Sequence, residues 1–363
     1  MSKKVYNFGA GPAMLPIPVM EQIQREYLDY NNMGVSVVEI SHRSKEFDKL
    51  LGETDELFRE LVALPKNYKI LYMHGGAQMQ FSAVPMNILG LKPAKKAIYI
   101  ESGNFAKVAH QEASRYGEIE ILASSKETNF DRIPDFDPSD INPEASYFYI
   151  TSNNTVMGTR WNKIPQTGEV PLVADATSEI LSRKLDFSQF GLIFAGTQKN
   201  LGPSGLAMTI IREDLLGKAM SETPKLLNYQ QCEKDHSLTN TPNTFAIYVI
   251  RLVLEWLKGK GGVEAIEKIN IQKSNILYDL IDKTSFYLGH SQPEHRSTMN
   301  VTFNLANGDL LETFLKEALA EGFYALKGHR AVGGARASIY NAMPIEGVQA
   351  LADFMKHFEQ KNG

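Results

Sequence analysis

Apolar positions along this chain fall into two rhythms. Short, nearly unbroken apolar runs recur at Tyr68 to Met73, Ala97 to Ile100, Tyr147 to Thr151, Val170 to Ala174, Gly191 to Ala195 and Leu206 to Ile211, and stretches with helical spacing separate them. A run without polar alternation is what a strand covered on both faces requires. Such strands alternating with helices predict an α/β unit, a mainly parallel sheet between helices. Further on, Thr244 to Lys258 places Phe245, Tyr248, Val249, Leu252 and Trp256 at helical spacing, and Gly259 offers a stop. The remainder changes character. A long helix from about Val263 to Asp282, a strand from Thr298 to Leu305, a helix opened by Asp309 and a last helix from about Pro344 make an α+β pattern. The expected organisation is therefore a large domain over 15–260 and a smaller α+β domain built from 1–14 and 261–363. No Gly/Ser/Pro-rich linker separates them, so they should pack closely and enclose a cleft.

Bulk composition narrows the function classes. With 363 residues and 43% hydrophobic content the chain exceeds what one compact core usually absorbs, which agrees with two parts. A formal net charge of -4 and no long run of Lys or Arg give no electrostatic reason to gather nucleic acid. The first residues lack the apolar stretch of a signal peptide, and no segment runs about 18 apolar residues without a charge. A cytoplasmic protein with no membrane partner is expected. The single cysteine, Cys232, excludes an internal disulfide and a multi-thiolate metal site, and no metal is expected. Its surroundings, Gln231-Cys232-Glu233-Lys234, suit an ordinary loop cysteine better than a nucleophile.

Three stretches could carry chemistry, each at the end of an apolar run. In Gly191-Leu192-Ile193-Phe194-Ala195-Gly196-Thr197-Gln198-Lys199-Asn200 a buried-looking strand ends in a lysine among turn formers. Desolvation there would lower the amine's pKa, as a Schiff-base lysine requires. Taken alone, the segment fits a solvated loop lysine equally well. In Val170-Pro171-Leu172-Val173-Ala174-Asp175-Ala176 another strand ends in a carboxylate, 199 − 175 = 24 residues earlier. An acid at that end points into the ligand crevice of an open sheet, where it could hold a pyridinium nitrogen protonated; taken alone, a helix N-cap accounts for it better. In His74-Gly75-Gly76-Ala77-Gln78 a strand meets a helix through two glycines, leaving N–H groups free for a phosphate. That turn is neither a Walker motif nor a dinucleotide fingerprint, and alone it is more often plain geometry. Together the three ask for a phosphorylated pyridine aldehyde.

This order of glycine turn, aspartate and lysine resembles the fold-type I pyridoxal phosphate (PLP) enzymes. The resemblance narrows with Asn7-Phe8-Gly9-Ala10-Gly11-Pro12-Ala13, Ser41-His42-Arg43-Ser44, Ser152-Asn153-Asn154-Thr155, Ala174-Asp175-Ala176-Thr177-Ser178, Gly196-Thr197-Gln198-Lys199-Asn200, Asn240-Thr241-Pro242 and Gly328-His329-Arg330. That set is similar to the phosphoserine aminotransferase family, within the class-V aminotransferases, over the entire chain.

The resemblance implies roles at the matching positions. Lys199 bonds covalently to PLP, Asp175 faces the ring nitrogen, and Thr155 lies beside the ring. Gly76, Ala77 and Gln198 approach the phosphate, and Asn240 and Thr241 reach the phosphate of a neighbouring subunit's cofactor, so the expected assembly is a homodimer with shared sites. Phe105 stands where many relatives stack a tryptophan on the ring, and Asn243 replaces a common proline, which should loosen its loop. Arg336 would hold the substrate's α-carboxylate, and His42, Arg43, His329 and Arg330 its distal anion, some of them across the dimer interface. The implied reaction moves an amino group from L-glutamate to 3-phosphohydroxypyruvate, giving O-phospho-L-serine and 2-oxoglutarate. The resemblance also permits 4-phosphooxy-L-threonine, in vitamin B6 synthesis. The rival on the same fold is a desulfurase-like lyase, for which Cys232 is poorly placed.

Overall fold

A computed structural model describes residues 5–363; Met1 to Lys4, expected in the smaller domain, lie outside the described residues. Seven strands form one sheet, in the order Tyr68–His74, Leu206–Arg212, Leu192–Gly196, Leu172–Asp175, Phe148–Thr151, Lys96–Glu101 and Glu118–Ser124. The strand Leu206–Arg212 runs antiparallel to both neighbours; the pairings from Leu192–Gly196 outward are parallel. The fold is the α/β arrangement with a mainly parallel sheet that the apolar runs imply. Glu118–Ser124 was not among those runs. As an edge strand it buries little, and Glu118 and Glu120 break its apolar sequence.

Both faces of the sheet are covered. Ile70, Ile98, Ile150, Leu172 and Ile193 point into a core closed by the helices Lys45–Val62 and Thr244–Gly259. The alternate residues Leu71, Tyr99, Tyr149, Val173 and Phe194 meet the helices Gly76–Ile88 and Asn104–Ala113 on the other side. This period-two division is the reason each strand reads as an unbroken apolar run.

The C-terminal stretch builds its own apolar cluster. Leu277 and Tyr278 of the helix Gly262–Asp282 pack with Val301 and Phe303 of the strand Asn300–Leu305 and with Leu351 and Met355 of the helix Ile345–Asn362. Tyr6 and Phe8 join this cluster, and Tyr6–Asn7 pairs in parallel with Phe323–Tyr324. A three-stranded antiparallel sheet sets Asn300–Leu305 between Tyr287–Gly289 and Ala335–Ser338, with Thr302 opposite Arg336.

Three local expectations need correction. The Asp309 segment opens as a 3-10 turn, Gly308–Leu310, capped by Asn307, and the helix proper is Leu311–Ala320. Cys232 sits in the short helix Tyr229–Lys234 rather than a loop, 5% exposed. Asn243 does not loosen its loop: its Oδ1 accepts the Ala246 N–H at 3.0 Å and caps the helix Thr244–Gly259, a role proline's side chain cannot fill.

Candidate active site

The parallel strands end together at one edge of the sheet, and the sequence-predicted chemistry lies there. Asp175 is the last residue of its strand, beside Thr151 in register, and its carboxylate accepts the Thr177 N–H at 2.9 Å. Burial pushes this carboxyl up, while hydrogen bonds from Thr177 and the positive charge of Lys199 pull it back. One strand over, the chain passes Gly196, whose N–H donates to Thr177 Oγ1 at 3.0 Å, and turns into Lys199. The two strand ends are thus tied to each other through one threonine.

Lys199 is 8% exposed, and its Nζ donates to Thr155 Oγ1 at 2.7 Å. Burial lowers the amine to about 8, with Arg336 pushing the same way and Asp175 opposing. The loop-lysine alternative is excluded, because this nitrogen lies inside the protein on a cavity wall. Phe105, in the first turn of Asn104–Ala113, places its ring centroid 5.9 Å from Nζ. Gly11 crosses close by: a Cβ there would stand 3.5 Å from Lys199 Cγ, at a backbone φ of +143° that disfavours any side chain.

The helix Gly76–Ile88 starts on the same cavity. Gly75 and Gly76 both adopt positive φ, and no side chain caps the helix. The Gly75 N–H is taken by the Gly205 carbonyl at 3.1 Å, and the N–H groups of the first turn, as at any helix start, have no intrahelical partners. A Cβ on Gly196 would meet Gln198 Oε1 at 2.6 Å and Ala77 Cβ at 3.1 Å, so the helix start and the lysine turn approach as closely as glycine allows.

These groups share one cavity of about 720 Å³. Gly76, Ala77, Phe105, Thr155, Asp175, Gln198 and Lys199 all line it. His329 and Arg336 reach it from the C-terminal stretch. Burial draws the Arg336 guanidinium down from its ordinary range. His329 is held below the usual histidine value by burial, Arg336 and Arg330. Its Nδ1 accepts the Ala331 N–H at 3.2 Å, which assigns the ring hydrogen to Nε2 as a donor. The remaining predicted residues do not line this cavity: His42 is half-buried, and Arg43, Asn240, Thr241 and Arg330 are exposed. Residues without an assigned role do line it, among them Ala10, Thr151, Asn153 and Ser178. The only signal for Ala10, Asn153 and Ser178 was membership of the short motifs, and Thr151 closes one of the apolar runs.

A buried amine of lowered pKa, a buried carboxylate, an aromatic face and an uncapped helix start fit PLP: aldehyde, ring nitrogen, ring and phosphate each find a matching group. Fold and site define a PLP-type aminotransferase, and residues 5–351 match the family model for class-V aminotransferases. The phosphoserine aminotransferase of Bacillus cereus is 48% identical over 360 residues, 99% of each chain. The solved structure of phosphoserine aminotransferase from Bacillus circulans subsp. alkalophilus superposes with a TM-score of 0.96 at 42% identity, covering 99% of both chains. The PLP-bound phosphoserine aminotransferase from Trichomonas vaginalis superposes with a TM-score of 0.92 at 34% identity, over 97% of this chain and 100% of that one. The chain belongs to the phosphoserine aminotransferase family of class-V aminotransferases.

Proposed function

We propose that the protein moves the amino group of L-glutamate to 3-phosphohydroxypyruvate, yielding 2-oxoglutarate and O-phospho-L-serine, with PLP bonded to Lys199. The observation that carries this reading is the Lys199 amine, buried on the cavity wall with its pKa brought down to about 8. When bound, PLP supplies the electron sink that lets a C–H bond beside the substrate nitrogen ionise. Asp175 would hold the ring nitrogen in its protonated form, and Phe105 would cover a ring face. The helix start at Gly76 and Ala77, with Gln198, would hold the phosphate. Lys199 Nζ would serve as the base that takes the substrate's α-proton and as the acid that returns it two atoms along, beyond the nitrogen. Thr155 Oγ1, 2.7 Å from Nζ, keeps the lysine aimed during the transfer.

Both substrates carry two anions, so one set of cations serves both half-reactions. Arg336 takes the α-carboxylate in a bidentate grip, and the Nε2–H of His329 donates to the distal group. His42, Arg43 and Arg330 join His329 on that group, some of them from a second copy of the chain in a homodimer, and Asn240 and Thr241 reach the cofactor phosphate of that second copy. Supporting this are exposed apolar side chains just before His42: Ile17, Met20, Tyr27, Met33 and Val38, with Leu28 79% exposed. The division into 15–260 and 1–14 with 261–363 accompanies this reading, supported by Tyr6 and Phe8 packing on the C-terminal cluster. Among the described residues no helix is long and apolar enough to cross a membrane, and a cytoplasmic location belongs to the same proposal.

The test is a spectrophotometric titration with glutamate, followed by each phosphorylated keto acid in turn, that of the 4-phosphooxy-L-threonine reaction included. Glutamate should convert the bound chromophore, and 3-phosphohydroxypyruvate should restore it. Arg336→Ala should impair both half-reactions. A defect confined to one would overturn the shared-site account.

A further inference from the structure

Three of the stretches that line the cavity are the N-terminal wall at Ala10 to Pro12, the strand ends from Thr151 to Lys199, and the strand Ala335–Ser338 that carries Arg336. Productive geometry needs a fixed spacing between them, since a misplacement of about 1 Å can cost on the order of 100-fold in rate. Two buried carboxamides lie where the three stretches meet.

Asn153, on the cavity wall, donates from Nδ2 to Ser178 Oγ at 2.8 Å and to Asn300 Oδ1 at 2.9 Å. Its Oδ1 accepts from Ser297 Oγ at 2.5 Å, so no polar atom of this side chain is left unpaired. Asn300 is 0% exposed. Its Nδ2 donates to Ser338 Oγ at 3.1 Å and to the Tyr340 hydroxyl at 3.2 Å, and its N–H donates to Ser297 Oγ at 3.0 Å. The Tyr340 hydroxyl in turn donates to the Ala10 carbonyl at 2.8 Å. Asn300 thus bonds the Arg336 strand directly at Ser338, and reaches Ser178, three residues beyond Asp175, through Asn153 and the N-terminal wall through Tyr340. In register Asn300 faces Ser338, and Thr302, two residues along, faces Arg336.

The network also dictates which group can stand at 300. Tyr340 spends its only proton on Ala10, so toward residue 300 it can only accept, and a donor must face it. Asn153 Nδ2 arrives from the other side as a donor, so an acceptor must face that end. Only a carboxamide offers both in this shape. A carboxylate would keep the volume yet take the Tyr340 proton away from Ala10.

We propose that Asn300 is a positioning residue, which sets the spacing between Arg336 and the Asp175–Lys199 floor and thereby the grip on the substrate's α-carboxylate. This rests on the role given to Arg336 under the proposed function.

The experiment measures steady-state kinetics with glutamate, together with the PLP dissociation constant, for the holoenzyme forms of wild type, Asn300→Ala, Asn300→Asp, Arg336→Lys and the Asn300→Ala/Arg336→Lys double variant. Asn300→Ala should raise KM about tenfold, the scale of one lost buried hydrogen-bond link. The constant for PLP should stay unchanged, and kcat should fall less than KM rises. Asn300→Asp should behave alike despite its equal size. The double variant should be no worse than Arg336→Lys, because the spacing matters only through the guanidinium. Should Asn300→Ala fail to fold, Tyr340→Phe severs the link to Ala10 and should raise KM about threefold, on the weak side of a single hydrogen bond. A raised KM in Arg336→Lys with unchanged values in Asn300→Ala and Tyr340→Phe overturns the proposal alone. Weakened PLP binding in Asn300→Ala, or full additivity in the double variant, also overturns it. An unchanged KM in Arg336→Lys overturns the assignment of Arg336, and the proposal with it.

Discussion

The amine of Lys199 is the sharpest quantitative handle on this site. An ordinary lysine titrates at 10.5, and burial brings this one to about 8. At pH 7 the uncharged fraction rises from about one in 3,000 to about one in ten, a gain of roughly 300-fold in reactive amine. Two neighbours set the balance with opposite signs. Asp175 favours the ammonium, so Asp175→Asn should lower the pKa further. Arg336 disfavours the ammonium, so Arg336→Met should raise it. The assay is the rate at which apoenzyme captures PLP covalently, followed by stopped-flow absorbance across pH and referred to free Nα-acetyl-lysine. The wild-type rate should climb to a plateau with a midpoint near pH 8. A midpoint at the value of free lysine, or an upward shift in Asp175→Asn, would refute the argument that burial and these two charges activate the amine.

The same pKa has a consequence for stability. Between about pH 8 and 10.5 the unfolded chain holds a proton on Lys199 that the folded apoprotein has lost, so this group makes stability rise with pH through that window. Below it the buried ammonium costs about 3 kcal/mol, so Lys199→Met should abolish turnover yet raise the apoprotein's Tm at pH 7 by roughly 4 °C in calorimetry. Lys273 should respond in the opposite sense. Its Nζ, 0% exposed, serves the carbonyls of Ile339, Tyr340 and Met343 at 3.0, 2.7 and 3.1 Å, and Lys273→Met should lower the Tm by roughly 4 °C as those acceptors lose their donor. Cys232, buried with its thiol pushed up to about 11, should resist thiol reagents at pH 8 until denaturant is added, and the enzyme should release no sulfide from cysteine. Asn243→Ala should cost about 1 kcal/mol through loss of the helix cap, seen as a small drop in the denaturation midpoint.

How far the sequence discloses this molecule depends on how far each feature reaches. The central strands are legible because burial on both faces leaves a local, unbroken apolar run; Glu118–Ser124, exposed at the edge, leaves none. Asp175 and Lys199 are legible for a related reason, since the end of such a run in an open parallel sheet is where a ligand crevice forms. Arg336 lies 336 − 199 = 137 residues beyond Lys199 in a strand with no such signature, and only the family resemblance drew attention to it. Asn153 and Asn300 are more hidden still. A buried carboxamide is defined by what surrounds it in space, and the chain around it carries no period that announces the partners.

Lys199 and Lys273 show where burial ceases to be informative. Both amines are almost wholly enclosed, and burial lowers both, to about 8 and about 7. What separates them is the set of acceptors. Lys273 sits mid-helix, and its Nζ donates to three backbone carbonyls, so the side chain works as a strut. Lys199 has one hydroxyl partner and a cavity beside it, so its remaining valence faces a space a ligand can enter. A lysine bonded to three carbonyls cannot turn to a ligand without breaking those bonds. One with a single partner can, and that incompleteness is what suits Lys199 to covalent chemistry.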